Sequence, residues 1–125
     1  MTKEAALYNF WSSFALPVYE ENSVFELETP PAYPYITYEI NTDSFDNTLS
    51  LNASLWYRST SWNAANAKKR EISEYIGMGG ITAPIDGGQM WIKRGSPFAQ
   101  NMGDDSDDSI KRVLLNIQVE FFTEN

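Results

Sequence analysis

Residues 112–121 read RVLLNIQVEF, and this stretch decides the fold. Val113, Leu115, Ile117, Val119 and Phe121 alternate with Arg112, Leu114, Asn116, Gln118 and Glu120. A period of two sends the first set to one face of a β-strand and the second to the other, so one face is fully apolar and the other mixed. Such a strand needs a partner with the same habit. Residues 49–57 supply it, because Leu49, Leu51, Ala53, Leu55 and Tyr57 alternate with Ser50, Asn52, Ser54 and Trp56.

Outward from these two, Tyr35 to Ile40 (YITYEI) reads as a further strand from its β-branched and aromatic content, followed by a polar turn at Asn41-Thr42-Asp43. Asp86-Gly87-Gly88 is a turn signal leading into a strand from Gln89 to Arg94. Two helices complete the set. In residues 2–14, Leu7, Phe10, Trp11 and Phe14 share one helical face, with Thr2 as N-cap, Glu4 in the first turn and Pro17 as the stop. Trp62 to Ile76 carries alanines at 64, 65 and 67, Ile72 and Ile76 on a buried side, an Arg70/Glu74 pair one turn apart, and Gly77 as terminator. Residues 18–34, with Pro30-Pro31, read as a connector. The stretch with Gly79-Gly80 and Pro84 reads as a loop, and residues 95–109 as a polar loop with an acidic centre. The order α-β-β-α-β-β predicts one α+β domain over residues 1–125, with a largely antiparallel four-stranded sheet and two helices packed on one face.

Composition bounds the chemistry. At 125 residues the chain can bury roughly two-thirds of its unfolded surface without a covalent staple. Cysteine and histidine are both absent, which removes disulfides, thiolate and imidazole metal ligands, thiol nucleophiles and the usual general base near neutral pH. Asp43, Asp46, Asp86 and Glu120 are scattered and specify no acid/base pair, so no enzyme activity and no cofactor are expected. Seventeen acidic residues against nine basic give a formal charge of -8, which argues against a broad footprint on nucleic acid or anionic lipid. The opening MTKEAALYNFWSSF does not read as a cleaved signal, and no stretch reaches membrane-spanning length, so a cytoplasmic site of synthesis and no membrane partner are expected.

Three short motifs stand out. Asp104, Ser106 and Asp108 sit at alternate positions like the first ligands of a calcium loop, but Ser109 and Leu115 occupy the places that want Gly and Glu. The run Asp104, Asp105, Asp107, Asp108 therefore reads as a solvated loop tip and no metal site is expected. Pro30-Pro31-Ala32-Tyr33 spells PPxY, a type of turn that can dock in an aromatic groove, though prolines between a helix and a strand also set chain direction. Lys68-Lys69-Arg70, with Lys93-Arg94 and Lys111-Arg112, marks a basic edge or simply exposed faces. At 14% aromatic, a high figure for a domain this small, composition leaves open whether the large rings serve the core or a partner.

The first helix, the Pro-Tyr strand, LSLNASLWYRSTSW, EISEYIG and the closing IKRVLLNIQVEFFTEN together resemble the small neck and tail-end proteins of long-tailed bacteriophages, nearest the tail terminator and tail completion group. The resemblance covers nearly the whole chain. It implies a virion structural protein at the tail-head junction, assembled in the bacterial host cytoplasm as a homo-oligomeric ring, expected to be a hexamer. Its partners would be itself, the tail-tube protein and the head connector, with DNA passing through without specific binding. Trp56, Trp62 and Trp91 would be candidate anchors of the side-to-side contacts, and the acidic loop would line the lumen or face the tube. Tail completion, head-closure and minor capsid roles use domains of similar size. A small cytosolic interaction module, binding through Pro30 to Tyr33 or through the 104–108 loop, is the alternative from another class.

Overall fold

The computed structural model of the chain describes residues 1–24, 27–40, 48–104 and 106–123. Its elements are α1 (Lys3–Ser12), β1 (Val18–Glu20), β2 (Tyr35–Tyr38), β3 (Thr48–Arg58), α2 (Asn63–Ile76), β4 (Ile81–Ile85), β5 (Gly88–Gly103) and β6 (Ile110–Thr123). The expected turn at Asn41-Thr42-Asp43, together with Asp46 and Asp105, lies outside the described residues.

The four-stranded antiparallel sheet expected from the sequence is not what forms. The sheet is six-stranded, mixed and curled into a half-barrel, in the order β1-β2-β3-β6-β5-β4. Three segments account for the difference. β1, in the stretch expected to be a connector, pairs parallel to β2 with Val18 opposite Ile36. A three-residue strand has no room to show periodicity, so pairing and not pattern creates it. β4 lies where a loop was expected, because its Pro84 speaks against a strand. As an edge strand it needs only one side of its backbone for the ladder, which is where proline is tolerated.

β5 is the third correction, since it continues through most of the expected 95–109 loop. Its register on β6 runs from Gly88 opposite Thr123 to Arg94 opposite Ile117, then resumes with Ala99 opposite Leu115. The extra residues between Arg94 and Ala99 form a bulge. Gly95 is required there. A Cβ at this position would come within 2.5 Å of the Asn116 side-chain nitrogen and 2.7 Å of its carbonyl oxygen. Gly87, at φ 78, sits in the turn between β4 and β5, where Asp86-Gly87 forms the two-residue connection.

The helices form for local reasons and stay for tertiary ones. Thr2 caps α1, its hydroxyl accepting from the Ala5 amide at 3.1 Å, and Ala6, Leu7, Phe10 and Trp11 are its buried side. α1 ends at Ser12, and Ala15 takes a left-handed conformation at φ 62 before Pro17. α2 ends on Gly77, whose amide donates to the Ser73 carbonyl at 2.9 Å. The Tyr75 ring meets Phe14 edge-on at 5.2 Å, and Lys68 donates to the Phe14 carbonyl at 2.8 Å, so α2 holds the end of α1.

Both helices enter one hydrophobic cluster with alternate positions of the sheet. Leu7, Trp11 and Phe14 from the α1 region, Ile72 and Ile76 from α2, and Ile36, Leu55, Met90, Ile92, Val113, Leu115 and Ile117 from the strands are essentially fully buried. The register explains the set: Leu55 faces Ile36 and Val113, Ala53 faces Tyr38 and Leu115, and Ile92 faces Val119. The complementary positions make up a second face that carries no helix.

Candidate functional site

Tyr35 and Thr37 on β2, Ser54 and Trp56 on β3, and Arg112 and Leu114 on β6 occupy the alternate positions on that helix-free face. Register places Tyr35 opposite Trp56, Thr37 opposite Ser54, and Trp56 opposite Arg112. The Tyr35 and Trp56 rings stack with centroids 6.1 Å apart and planes 17° apart. Tyr19 from β1 meets Tyr35 edge-on at 6.0 Å, and Tyr33 lies 5.3 Å from it. Cations close both ends. The Arg112 guanidinium sits 4.9 Å over Trp56, and that of Arg58 sits 5.1 Å over Tyr33.

Polar atoms under this layer are satisfied one by one. Trp56 Nε1 donates to Thr37 Oγ1 at 2.9 Å, and Arg112 Nε donates to Ser54 Oγ at 3.0 Å. Thr37 and Ser54 are the buried polar side chains of the sheet, and each is buried because a neighbour supplies the bond that water would. Burial pushes the Tyr35 phenol up to about 12, with Tyr33 reinforcing the shift, because the phenolate would lose its hydration there. Tyr33 of the PPxY motif is thus engaged within the chain's own aromatic layer.

The three tryptophans expected to anchor an interface are not brought together. Trp56 lies in the layer just described. Trp91 shares its face at the far end of the sheet, opposite Glu120, where its indole donates to the Gly79 carbonyl at 2.8 Å and its ring is 6.1 Å from half-exposed Phe122. Trp62 stands before α2, packed against the core edge. One feature unites them: Lys93 lies 4.3 Å over Trp91 and Lys111 5.6 Å over Trp62, as Arg112 does over Trp56. Sequence reasoning missed Tyr19, Tyr33 and Tyr35 as neighbours of Trp56. Trp56, an aromatic on the otherwise polar side of the Leu49–Tyr57 alternation, was the signal available.

The acidic run forms the tip between β5 and β6. Asp104 Oδ1 accepts from the Ser106 amide at 2.8 Å and hydroxyl at 2.6 Å. Asp107 Oδ1 accepts from the Ser109 amide at 2.9 Å and hydroxyl at 2.6 Å. These bonds hold both carboxyls below the usual range, since each donor favours the ionised form. Arg58 reaches Asp107 at 3.4 Å, tying the tip to the end of β3. Among the described residues no group of three or more acidic side chains is placed to hold a metal ion. The Arg70/Glu74 spacing does not produce an ion pair within 4.0 Å; on α2 the pair that forms is Lys68–Glu71 at 3.1 Å.

No protein-family model matches the chain, and no curated protein matches it in sequence. Among solved structures the fold is similar to a chain in the virion of a native gene transfer agent particle, with a TM-score of 0.60 and 13% identity, covering 96% of this chain and 94% of that one. The two chains therefore share a fold over nearly their whole lengths. No helix among the described residues is long and apolar enough to cross a membrane.

Proposed function

We propose that this protein is a structural component of a phage-type virion, and within that class a tail-terminator-like ring subunit that caps the tail tube and meets the head connector. The observation that carries the reading is the near end-to-end likeness in fold to a chain of a gene transfer agent virion, reached at 13% identity. Similarity confined to a common motif would cover part of each chain, whereas here 96% and 94% are matched. The resemblance of the sequence to tail terminator and completion proteins points the same way. A virion role also suits a chain without histidine or cysteine, in which no catalytic function is proposed.

On this reading, residues 1–125 work as one domain, copies associate side to side through heterologous contacts that close by rotation, and the aromatic layer and the hairpin tip are surfaces available to neighbours. Native mass spectrometry and negative-stain microscopy of the purified chain, alone and with tail-tube protein, test it. Closed rings of one stoichiometry are expected. A chain that stays monomeric at every concentration, with and without tube protein, defeats the reading.

A further inference from the structure

The charges of this chain are unevenly matched. Of its nine cations, six meet a carboxylate or an aromatic ring among the described residues. Lys3 lies over Phe121, Arg58 reaches Asp107, Lys68 pairs with Glu71, Lys93 with Glu120, and Lys111 and Arg112 cover Trp62 and Trp56. The three left over are Lys69, Arg70 and Arg94. Among the described residues Lys69 bonds the neutral amide of Asn101, at 3.2 Å, and Arg94 the hydroxyl of Ser73, at 2.9 Å, and neither meets a carboxylate. Arg70 is exposed and its spacing to Glu74 yields no ion pair.

These three cations converge on one place. A groove of about 480 Å³ between α2 and the β5 bulge is lined by Asn66, Lys69, Arg70, Ser73, Phe98 and Ala99. Arg94 borders it through its bond to Ser73. No acidic side chain lines the groove, although acids outnumber bases seventeen to nine in the chain. A cluster of unpaired cations is costly by mutual repulsion and is relieved by an anionic occupant.

We propose that this groove receives the acidic β5–β6 tip of a second copy of the chain. The proposal rests on the ring reading above and supplies one of its contacts. Residues 104–108 hold four aspartates in five positions, and the Asp104 and Asp107 carboxyls are held ionised by their serine turns. Among the described residues of one chain the tip pairs with Arg58 and not with Lys69, Arg70 or Arg94. Charge is therefore complementary between two separate surfaces of one molecule. Such a contact is heterologous and generates rings or open filaments, depending on the angle. It also answers the repulsion expected between two chains of charge -8, because attraction must then be local and directed.

A charge-swap experiment tests this. The groove variant carries Lys69→Glu and Arg70→Glu, and the tip variant carries Asp105→Lys and Asp108→Lys, leaving Asp104 and Asp107 with Ser106 and Ser109 to form their turns. Analytical ultracentrifugation is expected to show self-association weakened about tenfold or more in each variant alone and restored in an equimolar mixture, where opposite charges meet again. Carbodiimide coupling of mixed isotope-labelled and unlabelled wild-type chains is expected to join Lys69 to a tip aspartate in mixed-label peptides. Wild-type chains that associate normally while the variants do so equally well, or whose mixed-label peptides lack that link, overturn the docking proposal and leave the ring reading standing. Wild-type chains that never associate overturn both. If the groove variant instead loses only affinity for a fluorescent oligonucleotide, the groove is a phosphate site and the proposal fails.

Discussion

The two faces of the sheet are built from the same strands, one residue out of step, and they cohere by different physics. The face under the helices is held by apolar burial: Leu55, Val113, Leu115 and Ile117 are fully buried and carry no polar atom. The helix-free face is held by directed contacts, with a Tyr35–Trp56 stack, guanidinium groups over Trp56 and Tyr33, and hydrogen bonds to Thr37 and Ser54. At its centre the first face is closed to water by the helices. The second presents rings and cations at a partly open surface, the composition that protein interfaces favour.

Substitutions should separate the two regimes. Leu115→Ala on the apolar face is expected to cost about 2–5 kcal/mol in chemical denaturation, through lost transfer energy and the cavity left behind. A loss below about 1 kcal/mol would mean the site collapses freely and the face is less closely packed than described. Trp56→Ala should cost somewhat less, about 2–3 kcal/mol, because the ring is partly exposed, yet it also strands the Thr37 hydroxyl. Trp56→Phe, which keeps a ring but not the indole N–H, isolates the hydrogen bond at about 1 kcal/mol. Equal effects of the Ala and Phe replacements would show that stacking on Tyr35 contributes little.

The same contrast has a pH signature. Tyr35 ionises at about 12 in the folded chain against 10.0 for the ordinary phenol, so the folded state binds this proton more tightly than the unfolded one. Its stabilising effect is fully present below pH 10 and fades as pH rises toward 12. Tyr35→Phe should flatten that alkaline loss in urea titrations, and ultraviolet titration should lose its latest-ionising tyrosine. An unchanged alkaline limb would remove Tyr35 from the account. The smallest effect belongs to Arg70→Ala, expected within about 0.5 kcal/mol of wild type in monomer stability because the side chain is exposed. A larger loss would mean that Arg70 has a partner within its own chain, and the groove would then lack one of its free cations.

Much of the apolar face was legible in the sequence, because period-two alternation in 49–57 and 112–121 states which side chains face inward. The amphipathic spacing of Leu7, Phe10, Trp11 and Phe14 did the same for α1. What could not be read depends on pairing. β1 exists because Pro17, Val18 and their neighbours meet β2, with the Ile36 amide donating to the Pro17 carbonyl at 2.9 Å. β4 hides behind Pro84, although the Asp86-Gly87 turn implied a strand on each side. The far half of β5 hides behind Gly95 and Pro97, residues that signal a break in one strand and here mark a bulge. The aromatic layer is invisible for the same reason. Tyr19, Tyr33, Tyr35 and Trp56 come together only through register, as do Lys69, Arg70 and Arg94 at the groove.

The bulge in β5 also separates two histories within one hairpin. Residues before Arg94 are locked in register with the core strand β6 through Met90 opposite Phe121 and Ile92 opposite Val119. Beyond Ala99 the pairing resumes as far as Gly103 opposite Lys111, and β6 there still turns Val113 and Leu115 into the core against β3. Residues added or deleted between Gly103 and Ile110, outside the pairing of β6 with β5 and with β3, keep every inward side chain on its own face. That connection can thus change its reach, and with it the neighbour it touches, while the interior of the protein inherits nothing from the change.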